Sequence, residues 1–357
     1  MQVKTLLKLI GLGLALHTAA PLRAQIAGES PELMQMIKSA NEHLNKGSYD
    51  HAIALYQQAI RLAPDNIGLR KDLAYAYLLK REYSNGRQAI AQVLGSPLAD
   101  EQVFQIAAAI EQAEGKYGKA KRIVNDGLKK YPNSGLLHNA MGNVLILSSK
   151  STKPAIEKWV KGAAVEPKYP ANYYNLAKTL FKEEQYVWTI IYAEQYVNLE
   201  AQSPKAVEMR KLLFEAYQKV FSNNQNKPLP NFSQAAQREQ QKKLSFEEAF
   251  LQSINVNLST VADEFTVDNL SMLRSRFLIY WHNNFAHKFP QSIITYQARL
   301  MKEGHYPAYN QWLFGASENS RDFSVWIGQF KEAYQNFERW KNNNPFLPQM
   351  GDVAIRL

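Results

Sequence analysis

The sequence predicts an all-α protein, in which a long array of helix pairs precedes a smaller, aromatic-rich helical module. Three observations predict it. Along the first half, like residues recur at a spacing of 34: Tyr49, Tyr83 and Tyr117, with Ala52, Gly86 and Ala120 three places on. Beyond residue 245, apolar residues recur at three- and four-residue intervals, the period of a helix face. No run alternates apolar and polar residues with the period of two that a half-buried strand requires.

The N-terminus reads as a targeting segment, residues 1–24. Lys4 and Lys8 form a positive start, Leu9 to Leu16 is a short apolar run, and a cleavage after Ala24 leaves Gln25 as the mature terminus. The apolar run is far shorter than the roughly 20 residues of a membrane span, and no later stretch reaches that length. The expectation is export, to the periplasm or outside the cell. The chain contains no cysteine. That excludes disulfides, thiolate metal sites, cysteine nucleophiles and a cysteine-borne lipid anchor.

The repeated unit is clearest in Gly47 to Asn66, GSYDHAIALYQQAIRLAPDN. Gly47 marks a turn and Tyr49 a helix entry. Ala52 and Ala59 are small enough to let two antiparallel helices approach, Tyr56 fills the space beside them, and Pro64 stops the helix. Pro64 and Pro132 lie two periods apart, with Leu98 next to Pro97 between them. A one-residue insertion near Ser148 to Thr152 then shifts the frame, and Ala155, Trp159, Gly162 and Pro167 take the places of Ala120, Val124, Gly127 and Pro132. A fifth unit carries Tyr174, Leu176, Ala177, Leu180 and Tyr186, with a looser second helix around Trp188 to Tyr196. Lys205 to Phe221 reads as a helix that caps the open end.

These residues resemble tetratricopeptide repeats (TPR), over roughly half the chain. The first and third units match closely; the second carries Gly86 and Val93 where the family has alanines, and the fourth and fifth are degenerate. The resemblance implies a right-handed TPR superhelix of about five repeats plus a capping helix, spanning 33–221. It also implies a concave groove lined by the first helix of each unit. Carried onto this chain, the groove positions are Ile37, Asn41, Lys71, Tyr75, Gln105, Ala109, Asn139, Asn143, Tyr174 and Lys178. Some relatives clamp a C-terminal carboxylate with lysine and asparagine; here Lys38 and Asn41 match that clamp only in part.

Residues 222–244, rich in Asn, Gln and charge, read as a linker. The C-terminal module then covers 245–343. Leu270, Leu273, Phe277, Tyr280, Trp281 and Phe285 form a stripe closed by Pro290, and Pro290 to Lys302 carries a second helix. Tyr306 to Phe314 is a short helix stopped at Gly315. Asn319 and Ser320 cap a long helix whose stripe is Phe323, Trp326, Ile327, Phe330, Tyr334 and Phe337, expected to be core. The tail, 344–357, reads as extended.

Little points to catalysis. There is no H-E-x-x-H, no G-x-S-x-G and no phosphate-binding glycine loop. His282 and His287 are five apart, which turns one roughly 140° from the other on a helix and makes a poor metal pair. The carboxylate pairs Glu183–Glu184 and Glu247–Glu248 read as solvated helix faces. No catalytic residue, metal or cofactor is expected.

Charge is uneven. Of the formal +10, Lys4, Lys8 and Arg23 fall in the targeting segment, whereas Lys116 to Lys168 holds eleven Lys/Arg against Asp126, Glu157 and Glu166. Lys119, Lys121, Arg122, Lys158 and Lys161 fall on second helices, which face the convex side. They read either as a solubilising face or as a contact for an anionic envelope surface. Nucleic acid is not an expected partner, because no basic–aromatic interleaving marks a stacking groove. The function expected is a non-enzymatic interaction scaffold of the cell envelope, holding a protein or peptide in the groove. The alternative is a module for carbohydrates or anionic surfaces, working through the aromatic C-terminal domain and the convex basic patch.

Overall fold

Ser30 opens the first helix: its hydroxyl accepts the Leu33 amide at 3.2 Å and Pro31 follows at the first helical position. The computed structural model describes residues 30–224, 244–258 and 264–356. The targeting segment expected at 1–24 and most of the linker expected at 222–244 lie outside the described residues. Contacts divide the chain into two compact units, 1–162 and 163–357. Among the described residues the ordered elements are helices, with no strand.

The first unit is built of antiparallel pairs: α1 (Pro31–Asn45) with α2 (Tyr49–Leu62), α3 (Ile67–Lys80) with α4 (Tyr83–Leu94), α5 (Glu101–Ala113) with α6 (Tyr117–Lys130), and α7 (Gly135–Ser148) with α8 (Lys153–Val165). The pairs repeat one packing pattern. Ala52 and Tyr56 are fully buried and Ala59 nearly so. Asn66, Asp100 and Ser134 each cap the first helix of the next pair with a side-chain oxygen. First helices pack side by side, α3 against α5 and α5 against α7.

The turn inside the first three pairs repeats as strictly as the side chains. Gly47, Arg81 and Gly115, spaced by 34, have φ of 76°, 68° and 75°, and Glu184 has φ of 57°. A left-handed residue there ends the first helix and returns an amide to its last turn, as Ser48 N does to His43 O at 2.9 Å. In the fourth pair the inserted residue removes this turn, and Ser149 is extended at φ −106°, ψ 153°. Close approach accounts for two other glycines. A Cβ on Gly127 would meet Phe104 Cγ at 2.8 Å, and one on Gly142 would meet Trp159 Nε1 at 2.2 Å.

In the second unit α9 (Ala171–Lys182), α10 (Tyr186–Leu199) and α11 (Pro204–Asn224) form the fifth pair and the capping helix. The aromatic module follows as α12 (Phe246–Leu258), α13 (Val267–Asn284), α14 (Ser292–Lys302) and α15 (Tyr306–Asn310). α15 continues through a π-helical turn, Gln311–Gly315, to a last turn, Ala316–Glu318. α10 is buried on every side from Val187 to Asn198, because α12 and α14 pack on it as well as α9 and α11. Trp281 is the centre of a ring cluster with Phe246, Phe250, Phe277, Phe285 and Phe289.

Two sequence expectations are corrected here. The long helix expected after Asn319 is two, α16 (Ser320–Gln329) and α17 (Lys331–Asn343), parted at Phe330 with φ −111°, ψ 36°. Its aromatic stripe is core only at Phe337; Phe323, Trp326, Ile327 and Tyr334 are half-buried and Phe330 is 49% exposed. The break at Phe330 interrupts the helical period of the stripe. The tail has no helix but is anchored. Val353 N donates to Pro290 O at 3.0 Å, Asp352 accepts from the Ser292 amide at 2.9 Å, and Phe346 and Ile355 are buried.

Candidate functional site

On the first unit the groove positions fall along α1, α3, α5 and α7. Ile37 and Asn41 are half-buried on α1, and Lys38 beside them is exposed. Asn41 Oδ1 accepts from the Tyr56 hydroxyl at 2.6 Å, so a residue of the second helix holds it in place. Lys71 on α3 is neutralised: its ammonium is 2.8 Å from Asp100 Oδ2 and 2.8 Å from Gln102 Oε1. Tyr75 is half-buried, and burial, with the neighbouring Tyr49, pushes its phenol up to about 12. Gln105 and Asn139 are buried, Ala109 is half-buried, and Asn143 donates to Asn139 Oδ1 at 3.1 Å.

One residue on the same face of α3 as Lys71 and Tyr75 was not singled out from the sequence. Asp72 follows Lys71 and lies three residues before Tyr75, on the same face of α3. Its half-buried carboxyl has neither a hydrogen-bond donor nor an ion-pair partner among the described residues. Burial pushes it up to about 6; Lys71 opposes that shift and Asp100 adds to it. The available signal was the adjacency of Lys71 and Asp72 one turn before Tyr75. It passed unread because a lysine–aspartate neighbour pair looks self-compensating, whereas Lys71 turns to Asp100.

Tyr174 and Lys178 lie in the second unit, where both are engaged. The Tyr174 hydroxyl donates to Glu208 Oε2 at 2.6 Å and Lys178 pairs with Glu208 Oε1 at 2.7 Å. Lys205 and Lys178 sit 4.8 Å and 5.0 Å from the Tyr174 ring centroid. Burial acts to raise the Glu208 carboxyl, but the bonds from Lys178 and Tyr174 hold it below the usual range.

The basic side chains face out. Lys119, Arg122 and Lys161 are exposed, and Lys121 and Lys158 half-buried. Lys129 pairs with Asp126 at 2.7 Å, and Lys130 donates to Pro97 O at 2.6 Å and Ala99 O at 2.9 Å. The field of the patch reaches His138. Burial lowers that imidazole's pKa first, a backbone bond to Pro132 opposes this, and the charges of Lys158 and Lys161 lower it further. His282 and His287 are exposed, as are Glu183, Glu184 and Glu248, and Glu247 bonds to the Trp188 indole. Among the described residues no group of three or more His, Asp or Glu could hold a metal ion. No helix among them is long and apolar enough to cross a membrane.

No protein-family model matches the chain. The human protein named Protein IFIT1 homolog B (Homo sapiens) is 30% identical over 91 residues, 26% of this chain, so the match spans 19% of that protein's length. Among solved structures, a thermophilic TPR protein of Thermus thermophilus is 17% identical; the likeness covers 52% of this chain and 99% of that one with a TM-score of 0.43. PilF of Pseudomonas aeruginosa is 16% identical, covering 62% of this chain and 96% of that one, with a TM-score of 0.42.

Proposed function

We propose that this chain is a non-enzymatic interaction scaffold that holds an extended segment of a partner protein in the groove of its first unit. The observation that carries the reading is the α3 face, where Tyr75 and the unpaired, half-buried carboxyl of Asp72 lie one turn apart. Tyr75 offers apolar area with a polar tip, the Asn41 and Asn143 amides can bond a peptide backbone, and Asp72 is complementary to a cation. Lys71 is already paired, so the groove favours a peptide with a basic side chain rather than a terminal carboxylate. Export to the cell envelope belongs to the same reading, supported by the basic start and apolar run of residues 1–24. N-terminal sequencing of native material checks it, with an intact Met1 counting against it.

The groove is tested with two fluorescein-labelled peptide libraries, identical except for one fixed arginine or one fixed aspartate. Anisotropy should report tighter binding of the arginine library, and Asp72→Asn should remove most of the difference. Equal binding of both libraries, or binding of neither, overturns the reading.

A further inference from the structure

In the second unit, two clusters set cations against aromatic rings with a carboxylate beside them, and a third sets two cations there without one. Arg274 is surrounded by Tyr217, Tyr306, Tyr309 and Phe314, with ring centroids 5.0 to 5.9 Å away, and has Glu194 at 2.6 Å. Lys178 and Lys205 lie against Tyr174 and have Glu208. In the third, Arg210 of α11 and Lys341 of α17 meet at one indole, 4.5 Å and 4.6 Å from the Trp312 centroid.

Nothing among the described residues neutralises this third cluster. Arg210 Nη2 reaches only the Ala201 carbonyl, at 3.3 Å, and its Nε is buried with no hydrogen-bond partner. Glu338, the acid whose charge Lys341 feels, is exposed and forms no ion pair with it. The other groups turned toward the pair are Tyr334 and Tyr309. Burial lowers the pKa of Arg210; burial and then Arg210 itself lower that of Lys341. Two like charges thus stand at one indole, half out of water, and the Nε of Arg210 is unsatisfied. An indole attracts cations but accepts none of their N–H bonds in the way an oxygen does. Trp312 also sits in the π-helical turn, and such single turns are rare and concentrate at functional sites.

We propose that Arg210, Lys341 and Trp312 form a binding site for a phosphate-type oxyanion, with the two cations beside the indole donating to its oxygens. A guanidinium offers two parallel N–H bonds and the ammonium a third donor group, and two positive charges match a dianion better than a single carboxylate. The anion comes either as a free phosphate group or as a lipid headgroup. In the second case the exposed Val325 of α16 and Phe330 at its end offer apolar side chains to the acyl chains.

The full chain is titrated calorimetrically with inorganic phosphate at about 50 mM salt, where screening is weak. Separately, it is floated with phosphatidylcholine vesicles, with and without roughly one-third phosphatidylglycerol. At least one probe should bind, and Arg210→Gln with Lys341→Gln should weaken that binding about tenfold or more. Arg321→Gln, an exposed cation on α16, should change it less than about twofold. Phosphate binding without vesicle binding assigns a soluble phosphate ligand. Vesicle binding alone, reduced by Phe330→Ser, assigns a headgroup. Binding of neither probe, or full retention by the double variant, overturns the site. A readout on the unaltered protein guards against misfolding of the variant: whichever probe binds, phosphate against equal chloride or phosphatidylglycerol vesicles against phosphatidylcholine alone, should slow acetylation of Lys341 measured by mass spectrometry. Equal rates with the probe that binds would also overturn it.

Discussion

Arg274→Met tests the centre of the second unit. Arg274 and Glu194 are each 1% exposed, and Glu194 Oε1 takes Arg274 Nη2 at 2.6 Å, Gln297 Nε2 at 2.8 Å and the Tyr309 hydroxyl at 2.8 Å. Methionine keeps most of the apolar stem but leaves the carboxylate buried with two neutral donors, while Glu194 Oε2 has none already. Breaking such a pair from one side costs about 3–5 kcal/mol, since an uncompensated charge stays behind. With a urea slope on the order of 3 kcal/mol per molar for a unit this size, the midpoint should fall by about 1–2 M. Removing both charges, Arg274→Met with Glu194→Leu, should recover much of the loss, giving a coupling of about 2–4 kcal/mol. Urea melts followed by both circular dichroism and tryptophan fluorescence separate this unit's transition from the other's. A loss below about 1 kcal/mol in the single variant would refute the reasoning, as would a double variant no better than the sum of the singles.

Four further outcomes follow from particular contacts. Gly142→Ala places a Cβ 2.2 Å from Trp159 Nε1 and should cost about 1–3 kcal/mol in a urea melt of the first unit. Arg81→Gly relieves a left-handed residue at φ 68° and should raise stability by roughly 0.5–1 kcal/mol, after the entropy glycine loses on folding. Asp72→Asn should stabilise the fold at pH 7 and not at pH 3.5. The folded pKa, about 6, lies above the ordinary 3.8, so the penalty of the charged form is absent below about 4, grows up to about 6 and is complete above. Reversing Lys119, Lys121, Lys158 and Lys161 to glutamate should leave the fold intact and raise the pKa of His138, read by NMR titration, because two of those charges now depress it.

The array was legible because its requirements are local and periodic. Ala52, Tyr56 and Ala59 had to be small, large and small, and the structure buries all three. The left-handed turn at Arg81 was not legible, since only glycine announces that geometry and arginine occupies it under the constraint of the repeat. α10 looked like a degenerate second helix because a helix buried on every side has no polar face to mark its period. The stripe from Phe323 to Phe337 followed helical spacing throughout, yet spacing alone cannot show that Phe330 breaks the helix and leaves half the stripe uncovered. The pairing of Glu194 with Arg274, 80 residues apart, and of Lys71 with Asp100 rather than Asp72, are tertiary choices that no local window contains.

That last choice sets the sign of charge on each face of the first unit. By composition the unit is basic, and a partner selected by net charge would be an acid. Pairing changes this locally: Lys71 is consumed by Asp100 and Gln102, while Asp72 keeps an uncompensated carboxyl beside Tyr75. The excess cations stand on α6 and α8, where Lys119, Arg122 and Lys161 are exposed. A basic peptide is therefore repelled from the cationic side chains of the second helices and attracted at one position of the first helices, which orients its approach before any contact forms. The same separation predicts that salt acts on the two faces in opposite directions for such a peptide. Screening removes repulsion at the patch and attraction at Asp72 together, and the half-buried carboxyl, less accessible to ions, loses its share more slowly.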